Sequence, residues 1–309
     1  MAAREGERHV VTGAFGFTGQ RIAARLLEAG VEVTTLTSRP ESESPFGGRV
    51  RAAPFDFDRP DRLVETLRGA AVLYNTYWVR YAHSGATYER AVENSRALLG
   101  AACRAGVRRV VHVSIANPSL DSPLPYYRGK AMLERDLGSS GLSHAILRPT
   151  VVFGPGDILI NNIAWFVRRS PVFAVPGDGA YGVRPIFIED MADLAVREGA
   201  GTEDTVLDAV GPETYRFDEL VALIARSLGR RVRLLHVPPG LALALTRAAG
   251  WWVGDVVLTR EEIAGLMQGL LVSRAAPTGA TRLSAWLAEN RRSVGVRYAS
   301  EVARHFRGR

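Results

Sequence analysis

This sequence is poor in cysteine and in long uninterrupted apolar runs, and it shows no apolar leader segment. A single cysteine, Cys103, stands among 309 residues, which excludes an internal disulfide and a metal site built from paired cysteines. Its helical-looking surroundings predict a core residue rather than a reactive thiol. Charges interrupt the amino terminus, MAAREGERHVV, before any run of signal-peptide length. We therefore expect a cytoplasmic, reducing location.

Metal chemistry and membrane spanning also find little support. The six histidines are scattered, and none stands at ligand spacing from another histidine or a cysteine. The most apolar stretch, LALALTRAAGWWVGDVVL at 241–258, is interrupted by Arg247, Asp255 and two glycines. It predicts a buried or interfacial helix and no transmembrane segment. Trp251 and Trp252 are candidates for a peripheral contact with a membrane or another protein.

Positive charge is in modest excess, with 39 Lys+Arg against 32 Asp+Glu and a formal net charge of +7. Nearly all of it is arginine, often paired as in Arg108-Arg109 and Arg168-Arg169. Such a balance can favour anionic partners. Because no basic stripe interleaved with aromatic residues is visible, we interpret it as a solvated arginine-rich surface and expect no nucleic-acid partner.

The first half of the chain alternates short apolar runs with amphipathic segments. The predicted strands are HVVTGA, VEVTTLT, RVRAAPFD, AVLYNTY, VRRVVHVSI and SHAILRPTVVF. The predicted helices between them are TGQRIAARLLEAG, RPDRLVETLRG, TYERAVENSRALLGAACRAG and YYRGKAMLERDLGSSG. This alternation predicts a doubly wound α/β fold, a parallel sheet with helices on both faces.

A glycine-rich turn joins the first strand to the first helix. Gly13, Gly16 and Gly19 stand at three-residue spacing in VVTGAFGFTGQRIAARLL. In this context the first glycine turns the chain, the second lets a pyrophosphate approach the positive helix end, and the third lets helix and strand pack together. The pattern predicts an NAD(P)-binding loop, with Phe15 and Phe17 between the glycines as part of it.

The alternation ends after Gly154. Glycine- and proline-rich segments follow, then a strand and helix (IFIEDMADLAVREGA), a short strand (TVLDAV) and a mostly helical remainder. We therefore expect a Rossmann domain over residues 1–154, to which 183–210 return. Residues 155–182 and 211–309 are expected to form a smaller, mostly helical substrate or interaction lobe.

Two residues bear on the choice of nucleotide. The second strand ends in Thr37-Ser38-Arg39, where an NAD-selective site usually has an acidic residue. An arginine can pair with a 2′-phosphate, which favours NADP(H) over NAD(H), although Arg39 also fits an ordinary surface charge. Asp56, in FDFD, fits either a hydrogen-bond acceptor for the adenine amino group or a turn or helix-capping aspartate.

These motifs, together with Asn94 in VENSRALLGAA and PYYRGK at 125–130, make the chain similar to the extended and atypical short-chain dehydrogenase/reductases. The resemblance runs over nearly the full length. Within that superfamily, LRPTVVFGPGD, NNIAWFVRRSPVF and the tail around 286–300 resemble the nucleotide-binding accessory subunit of respiratory complex I and its bacterial relatives. The same elements are similar to nucleoside-diphosphate-sugar epimerases. The resemblance implies a Rossmann fold and a nicotinamide cofactor.

Tyr126 and Lys130 stand one helical turn apart, so on a helix they share a face. A nearby ammonium favours the phenolate, so the phenol oxygen can exchange a proton with an alcohol or carbonyl. In the family the lysine also reaches the nicotinamide ribose. Tyr127 is one residue closer to the lysine and is expected to point elsewhere. A chance pair on a helix surface is the alternative.

Ser114, at the end of VVHVS, is the candidate for a hydroxyl that holds the substrate oxygen. Extended members of the family usually carry consecutive serines or threonines here, whereas this chain has Ser-Ile-Ala-Asn. The usual slot can therefore fall on Ala116, with Asn117 and Ser119 as substitutes.

Three further groups fit either a site or plain structure. Asn75-Thr76-Tyr77-Trp78, after the fourth strand, either wall a pocket or pack in the core. Asn161-Asn162 lie near the substrate cleft by resemblance, and otherwise are polar loop or helix-start residues. Arg184 is the candidate clamp for a substrate diphosphate.

The sequence as a whole predicts an NADP(H)-preferring oxidoreductase or epimerase-like enzyme acting on an unidentified small molecule. Hydride would pass between the nicotinamide and a carbonyl or carbinol carbon. The alternative is a non-catalytic NADP(H)-binding protein with a structural or redox-sensing role. The helices beside the fourth and fifth strands are candidates for pairing two copies into a homodimer.

Overall fold

The computed structural model describes residues 6–40, 43–81 and 85–305. Its strands are β1 (Arg8–Thr12), β2 (Glu32–Thr37), β3 (Val50–Pro54), β4 (Val72–Asn75), β5 (Arg109–Val113), β6 (Ser143–Pro149), β7 (Val152–Phe153), β8 (Val172–Pro176), β9 (Gly182–Val183), β10 (Ile186–Phe187), β11 (Thr205–Ala209), β12 (Tyr215–Arg216) and β13 (Arg233–Val237). Its helices are α1 (Phe17–Glu28), α2 (Pro60–Leu67), α3 (Tyr88–Ala105), α4 (Pro125–Gly138), α5 (Leu159–Arg169), α6 (Ile188–Gly199), α7 (Phe217–Ser227), α8 (Pro239–Val253), α9 (Arg260–Met267), α10 (Leu283–Asn290) and α11 (Glu301–His305).

The chain divides into two compact units, which we describe separately. Unit 1 comprises residues 1–149 and 191–208, and unit 2 comprises residues 150–190 and 209–309.

Unit 1 is built on a seven-stranded sheet. Its strand order is β11-β6-β5-β4-β1-β2-β3, and the pairs from β3 through β6 all run parallel. Parallel neighbours require crossover connections: α1 joins β1 to β2, α3 joins β4 to β5, and α4 joins β5 to β6, whereas the described part of 38–49, which joins β2 to β3, contains no helix. The predicted doubly wound α/β class is confirmed. The strand order reverses at β1, which pairs with β2 on one side and β4 on the other, so the carboxyl end of β1 is the topological switch point.

Sequence signals explain where the helices of unit 1 begin and end. Thr87 caps α3 by accepting a hydrogen bond from the Arg90 amide, and Gly106, at φ 70°, ends the helix in the left-handed conformation. Proline at the first turn starts both α2 and α4. Apolar residues of α2 and α3 pack with those of the strands in one core, which includes Val10, Leu36, Leu63, Leu67, Leu73, Leu98, Val110 and Ile146.

Two interpretations of surface and core need correction in unit 1. Cys103 is exposed on α3, so its prediction as a core residue is wrong; Ala101 and Ala102, immediately before it, take the buried positions. Arg109 is only 1% exposed, although the arginine pairs were interpreted as solvated surface. Its guanidinium donates to the carbonyl oxygens of Glu198 and Glu203, which offsets the loss of water around the buried charge.

Unit 2 has its own core and three two-stranded ladders. β8 and β13 pair in parallel over five residues, from Val172 with Arg233 to Pro176 with Val237, and β7–β10 and β9–β12 are shorter pairs. The core comes chiefly from α5, α7 and α10, and includes Phe153, Ile163, Phe217, Leu220, Ile224, Trp286 and Leu287. Within the described ranges, no helix is both long enough and apolar enough to cross a membrane.

Candidate functional site

The glycine turn of unit 1 has the geometry of an anion cradle. Gly13 has a φ of 64°, in the region that side chains disfavour, and its amide donates to the Leu36 carbonyl at 2.7 Å. A Cβ on Gly19 would lie 2.3 Å from the Gly13 carbonyl oxygen. Gly16 is the N-cap of α1 and supplies no side-chain cap, and the first turn of α1 has no acidic residue. The positive end of the α1 dipole therefore faces a turn whose glycines carry no side chains, which is the arrangement that binds anions.

The two phenylalanines of the turn, Phe15 and Phe17, are both partly exposed and flank Gly16. Arg39 follows β2 and is partly exposed, and its amide donates to the Thr37 hydroxyl at 3.2 Å. Since β2 is next to β1 in the sheet, the chain that carries Arg39 leaves the same carboxyl edge as the glycine turn.

Asp56 sits in the turn between β3 and α2. Its carboxylate forms ion pairs with Arg59 at 2.9 Å and with Arg62 at 3.6 Å, and its backbone carbonyl accepts from the Arg59 amide. Both oxygens thus have cationic neighbours from the start of α2. This geometry favours the turn interpretation of Asp56 over the adenine acceptor.

An aromatic cluster lies at the carboxyl ends of β3 and β4. Phe55 and Phe57 stack with ring centroids 5.0 Å apart, and Tyr77 lies 5.1 Å from each of them. Asn94 donates to the Tyr77 hydroxyl at 2.8 Å. The sequence indicated Asp56 in this segment but gave no role to the flanking phenylalanines, whose alternation in FDFD was the available signal.

Lys130 is the centre of a second group of side chains. It is 2% exposed, and its Nζ donates to the Val113 carbonyl at 2.7 Å, at the end of β5. The same atom lies 4.5 Å from the centre of the Trp78 ring, within cation–π range. Burial lowers the pKa of Lys130 to about 7, against the opposing effect of the Glu134 carboxylate.

Tyr126 lies one turn earlier on α4 and is half-buried. Its ring meets those of Trp78 and Tyr88 edge to face, at 5.8 and 5.9 Å. Trp78 therefore contacts both members of the predicted pair. Gly129 makes this possible, because a Cβ there would lie 2.9 Å from the Trp78 ring.

Ser114 is engaged elsewhere. It is 4% exposed and its hydroxyl donates to Oε1 of Glu134, in a short contact. Arg148 binds the same carboxylate through two nitrogens, and this hydrogen bonding raises the pKa of Arg148. Ala116 is fully buried, whereas Asn117 and Ser119 are exposed, and Asn117 has a φ of 55°. The structure thus holds Ser114 in a buried network with α4 and β6.

A histidine that the sequence did not indicate completes this part of unit 1. His112, on β5, is 1% exposed, and its Nδ1 lies 3.1 Å from Nδ2 of Asn75, at the end of β4. Burial, reinforced by the Lys130 charge, holds the pKa of His112 well below its usual value. Its Nε2 has no hydrogen-bond partner in the described part of the chain. His112 is therefore neutral at physiological pH.

The other predicted residues have structural partners within unit 2. Arg184 is 8% exposed and donates to the carbonyls of Gly211, Ser273 and Ala275. These contacts occupy the guanidinium, which does not favour a clamp on a substrate. Asn161 donates to the Arg297 carbonyl, and Asn162 donates to the Ala299 carbonyl, which anchors the segment before α11.

The strand order and the glycine turn define unit 1 as a Rossmann-type dinucleotide-binding structure. Comparison with known proteins agrees: residues 13–155 match a family model described as NAD(P)H-binding. The chain therefore carries an NAD(P)-binding domain.

Relatives and solved structures extend the comparison. The chain is 23% identical over 258 residues to NADH dehydrogenase [ubiquinone] 1 alpha subcomplex subunit 9 of Arabidopsis thaliana, covering 80% of this chain and 64% of that protein. It is 28% identical to ceramide reductase of Caulobacter vibrioides, covering 78% and 77%. A nucleoside-diphosphate-sugar epimerase of Staphylococcus aureus has a TM-score of 0.75 at 16% identity, covering 91% and 99%. Triphenylmethane reductase of Citrobacter sp. with NADP(H) has a TM-score of 0.76 at 17% identity, covering 92% and 99%.

These findings confirm the resemblance to extended short-chain dehydrogenase/reductases and to the complex I accessory subunit. The chain spans just under two thirds of the length of the Arabidopsis subunit. The two solved structures show the fold alone, because their identity to this chain is low.

Proposed function

We propose that this chain is an NADPH-dependent oxidoreductase that reduces a carbonyl group of a small molecule, with Tyr126 as the proton donor. The observation that carries the proposal is the pair on α4: a half-buried tyrosine one turn before a buried lysine held by the Val113 carbonyl. Bound NADPH would supply the hydride that adds to the carbonyl carbon. Tyr126 gives its proton to the carbonyl oxygen, the product is an alcohol, and solvent restores the phenol proton.

The composition of the chain supports a chemical role for Lys130. It is the only lysine in the sequence; all the other basic residues among the 39 Lys+Arg are arginines. A guanidinium keeps its charge throughout the physiological range, whereas a buried amine can gain or lose a proton near neutrality. The pKa of about 7 allows Lys130 to gain or lose its positive charge near neutrality, which arginine cannot do.

The residues of the glycine turn fit the nucleotide. Gly13 and Gly16 carry no side chain at the turn before α1, where a pyrophosphate would bind, and Gly19 lets α1 pack closely against the turn, since a Cβ on Gly19 would clash with the Gly13 carbonyl oxygen. We propose that Arg39 pairs with the 2′-phosphate and sets a preference for NADPH over NADH.

Arg39→Ala tests this preference. A charge-assisted hydrogen bond to phosphate is worth about 1.5–3 kcal/mol, so the variant should bind NADPH about 10- to 100-fold more weakly and NADH unchanged. The measurement is titration of both nucleotides, followed by tryptophan fluorescence. Arg68→Ala, which removes an exposed arginine just before β4 begins, at the opposite edge of the sheet, is the matched control. Equal weakening of NADPH and NADH would remove Arg39 from the phosphate site.

A second candidate function is a non-catalytic NADP(H)-binding protein. The network of Ser114, Glu134 and Arg148 favours it, because a serine hydroxyl that already donates to a carboxylate is poorly disposed to hold a substrate oxygen. The Arabidopsis relative, named as a subunit of NADH dehydrogenase, supports the same alternative. The Caulobacter relative, named as a reductase, supports the enzyme.

Isotope transfer separates the two functions. The purified chain is incubated with NADPH deuterated at C4 and a panel of ketones that includes long-chain keto-lipids, and the products are analysed by mass spectrometry. An enzyme places deuterium on the carbinol carbon of at least one product, from one face of the nicotinamide only. Tight NADPH binding with no deuterium in any product would favour the non-catalytic function.

A further inference from the structure

Helix α8 of unit 2 exposes its apolar side. Leu241 and Leu245 are 49% and 44% exposed, and Trp251 and Trp252 are 91% and 67% exposed. With Ala244 and Ala248, these residues occupy one arc of about 120° at 3.6 residues per turn. Ala242 and Gly250 are the buried residues of the helix. An arc that contains two leucines and two tryptophans is the reverse of what an amphipathic helix in water presents.

The aromatic end of this arc continues into a basic region. Trp252 lies 5.4 Å from Trp165 of α5, and Trp165 lies 5.3 Å from Tyr298. The guanidinium of Arg169 lies 4.2 Å above the same Trp165 ring. The Trp165 ring, itself only 8% exposed, therefore packs between the aromatic end of the arc and the guanidinium of Arg169.

Five arginines make this region basic: Arg168, Arg169, Arg291, Arg292 and Arg297. Arg168 and Arg169 donate to the backbone carbonyls of Val294 and Val296 rather than to carboxylates. Within the described part of the chain, none of the five takes part in an ion pair. Glu289 is the one acidic residue in the segment from α10 to Tyr298, so the net charge here is strongly positive.

A depression of about 440 Å³ lies in the basic region. Its lining includes Arg292, Arg297, Asn161 and Tyr298, and no acidic residue. Val296, which also lines it, is 49% exposed. The opening combines hydrogen-bond donors for an anion with an apolar margin. This combination is complementary to a phosphate-bearing lipid headgroup at a membrane surface.

We propose that the exposed arc of α8 and the adjoining arginines form a docking surface for membranes that contain anionic lipids. The leucines and tryptophans enter the headgroup boundary, where indole rings are favoured, and the arginines contact lipid phosphates. Charge favours this occupant over a second copy of the chain, because two such surfaces face to face would bring ten guanidinium groups together. The surface belongs to unit 2 and does not depend on the proposed reaction.

Vesicle flotation of the full chain tests the proposal. Phosphatidylcholine vesicles are compared with vesicles in which part of that lipid is replaced by phosphatidylglycerol. We expect flotation only with the anionic vesicles, a blue shift of tryptophan emission on binding, and weaker binding as salt rises. Trp251→Ser combined with Trp252→Ser should lower partitioning about 100-fold or more. Arg292→Gln combined with Arg297→Gln should lower it about 30-fold, at about 1 kcal/mol for each charge.

Matched controls distinguish the surface from general effects. Arg260→Gln with Arg274→Gln removes the same charge from exposed sites elsewhere in unit 2, and Leu120→Ser with Val206→Ser removes exposed apolar side chains from unit 1. Both should float as the unchanged chain does, and NADPH titration verifies that every variant is folded. Absence of flotation, equal flotation with neutral vesicles, or self-association that the tryptophan variant abolishes would overturn the proposal.

Discussion

Tyr126→Phe is expected to lower the rate of NADPH-dependent reduction about 10²- to 10⁴-fold, the usual contribution of a positioned proton donor. The change removes one hydroxyl and keeps the ring, so the edge-to-face contacts with Trp78 and Tyr88 persist. NADPH affinity should not change, because the glycine turn and Arg39 are untouched. The readout is single-turnover nucleotide oxidation, with nucleotide affinity measured alongside.

The neighbouring tyrosine supplies the control for this prediction. Tyr127→Phe removes the same atom from the next residue of α4, whose side chain is 7% exposed, and should leave the rate intact. Lys130→Arg should lose activity as Tyr126→Phe does, because a guanidinium is larger than the buried amine that contacts the Val113 carbonyl and the Trp78 ring. Equal rates for Tyr126→Phe and the unchanged chain would show that another group donates the proton.

Gly19→Ala is expected to lower both nucleotide binding and the stability of unit 1. The new methyl group would lie 2.3 Å from the Gly13 carbonyl oxygen and 3.0 Å from that of Thr12. Because both neighbours are backbone atoms, α1 must move away from β1, at a cost of about 3 kcal/mol or more. We expect a thermal midpoint lowered by several degrees and NADPH affinity lowered more than about tenfold.

Gly100→Ala is the matched control for this prediction. Gly100 is exposed on α3, and a Cβ there would meet no atom within 4 Å. Alanine in the middle of a helix is favoured over glycine by about 1 kcal/mol, so this variant should be slightly more stable and bind NADPH normally. If Gly19→Ala retained full affinity and stability, the close approach of α1 to the turn would not be required.

The sheet of unit 1 could be predicted because its information is local. Each of β1 to β6 is an apolar run next to an amphipathic segment, and the glycine spacing of the first turn fixes the switch point. Unit 2 was harder. β8 and β13 pair across sixty-odd residues of sequence, and neither run alternates clearly enough to predict a strand.

The candidate site likewise has a part that local sequence patterns predict and a part that they do not. The spacing of Tyr126 and Lys130 is visible in the sequence, but the contacts that give them their setting come from other elements. Trp78 arrives from the end of β4 and Val113 from β5. Glu134 accepts hydrogen bonds from both Ser114 and Arg148 of β6. These three residues come from separate segments of the chain, so no local sequence pattern predicts their network.

The burial of Lys130 also couples folding to protons. In the unfolded chain the amine has its ordinary pKa of 10.5, whereas in the folded chain its pKa is about 7. Between these values the unfolded chain holds a proton that the folded chain has released, so this group makes folding more favourable as pH rises across that window. Below pH 7 both states are charged, and the folded chain bears the full cost of the buried ammonium. The protein therefore carries, in its only lysine, an amine whose net contribution to the fold is least favourable in acid.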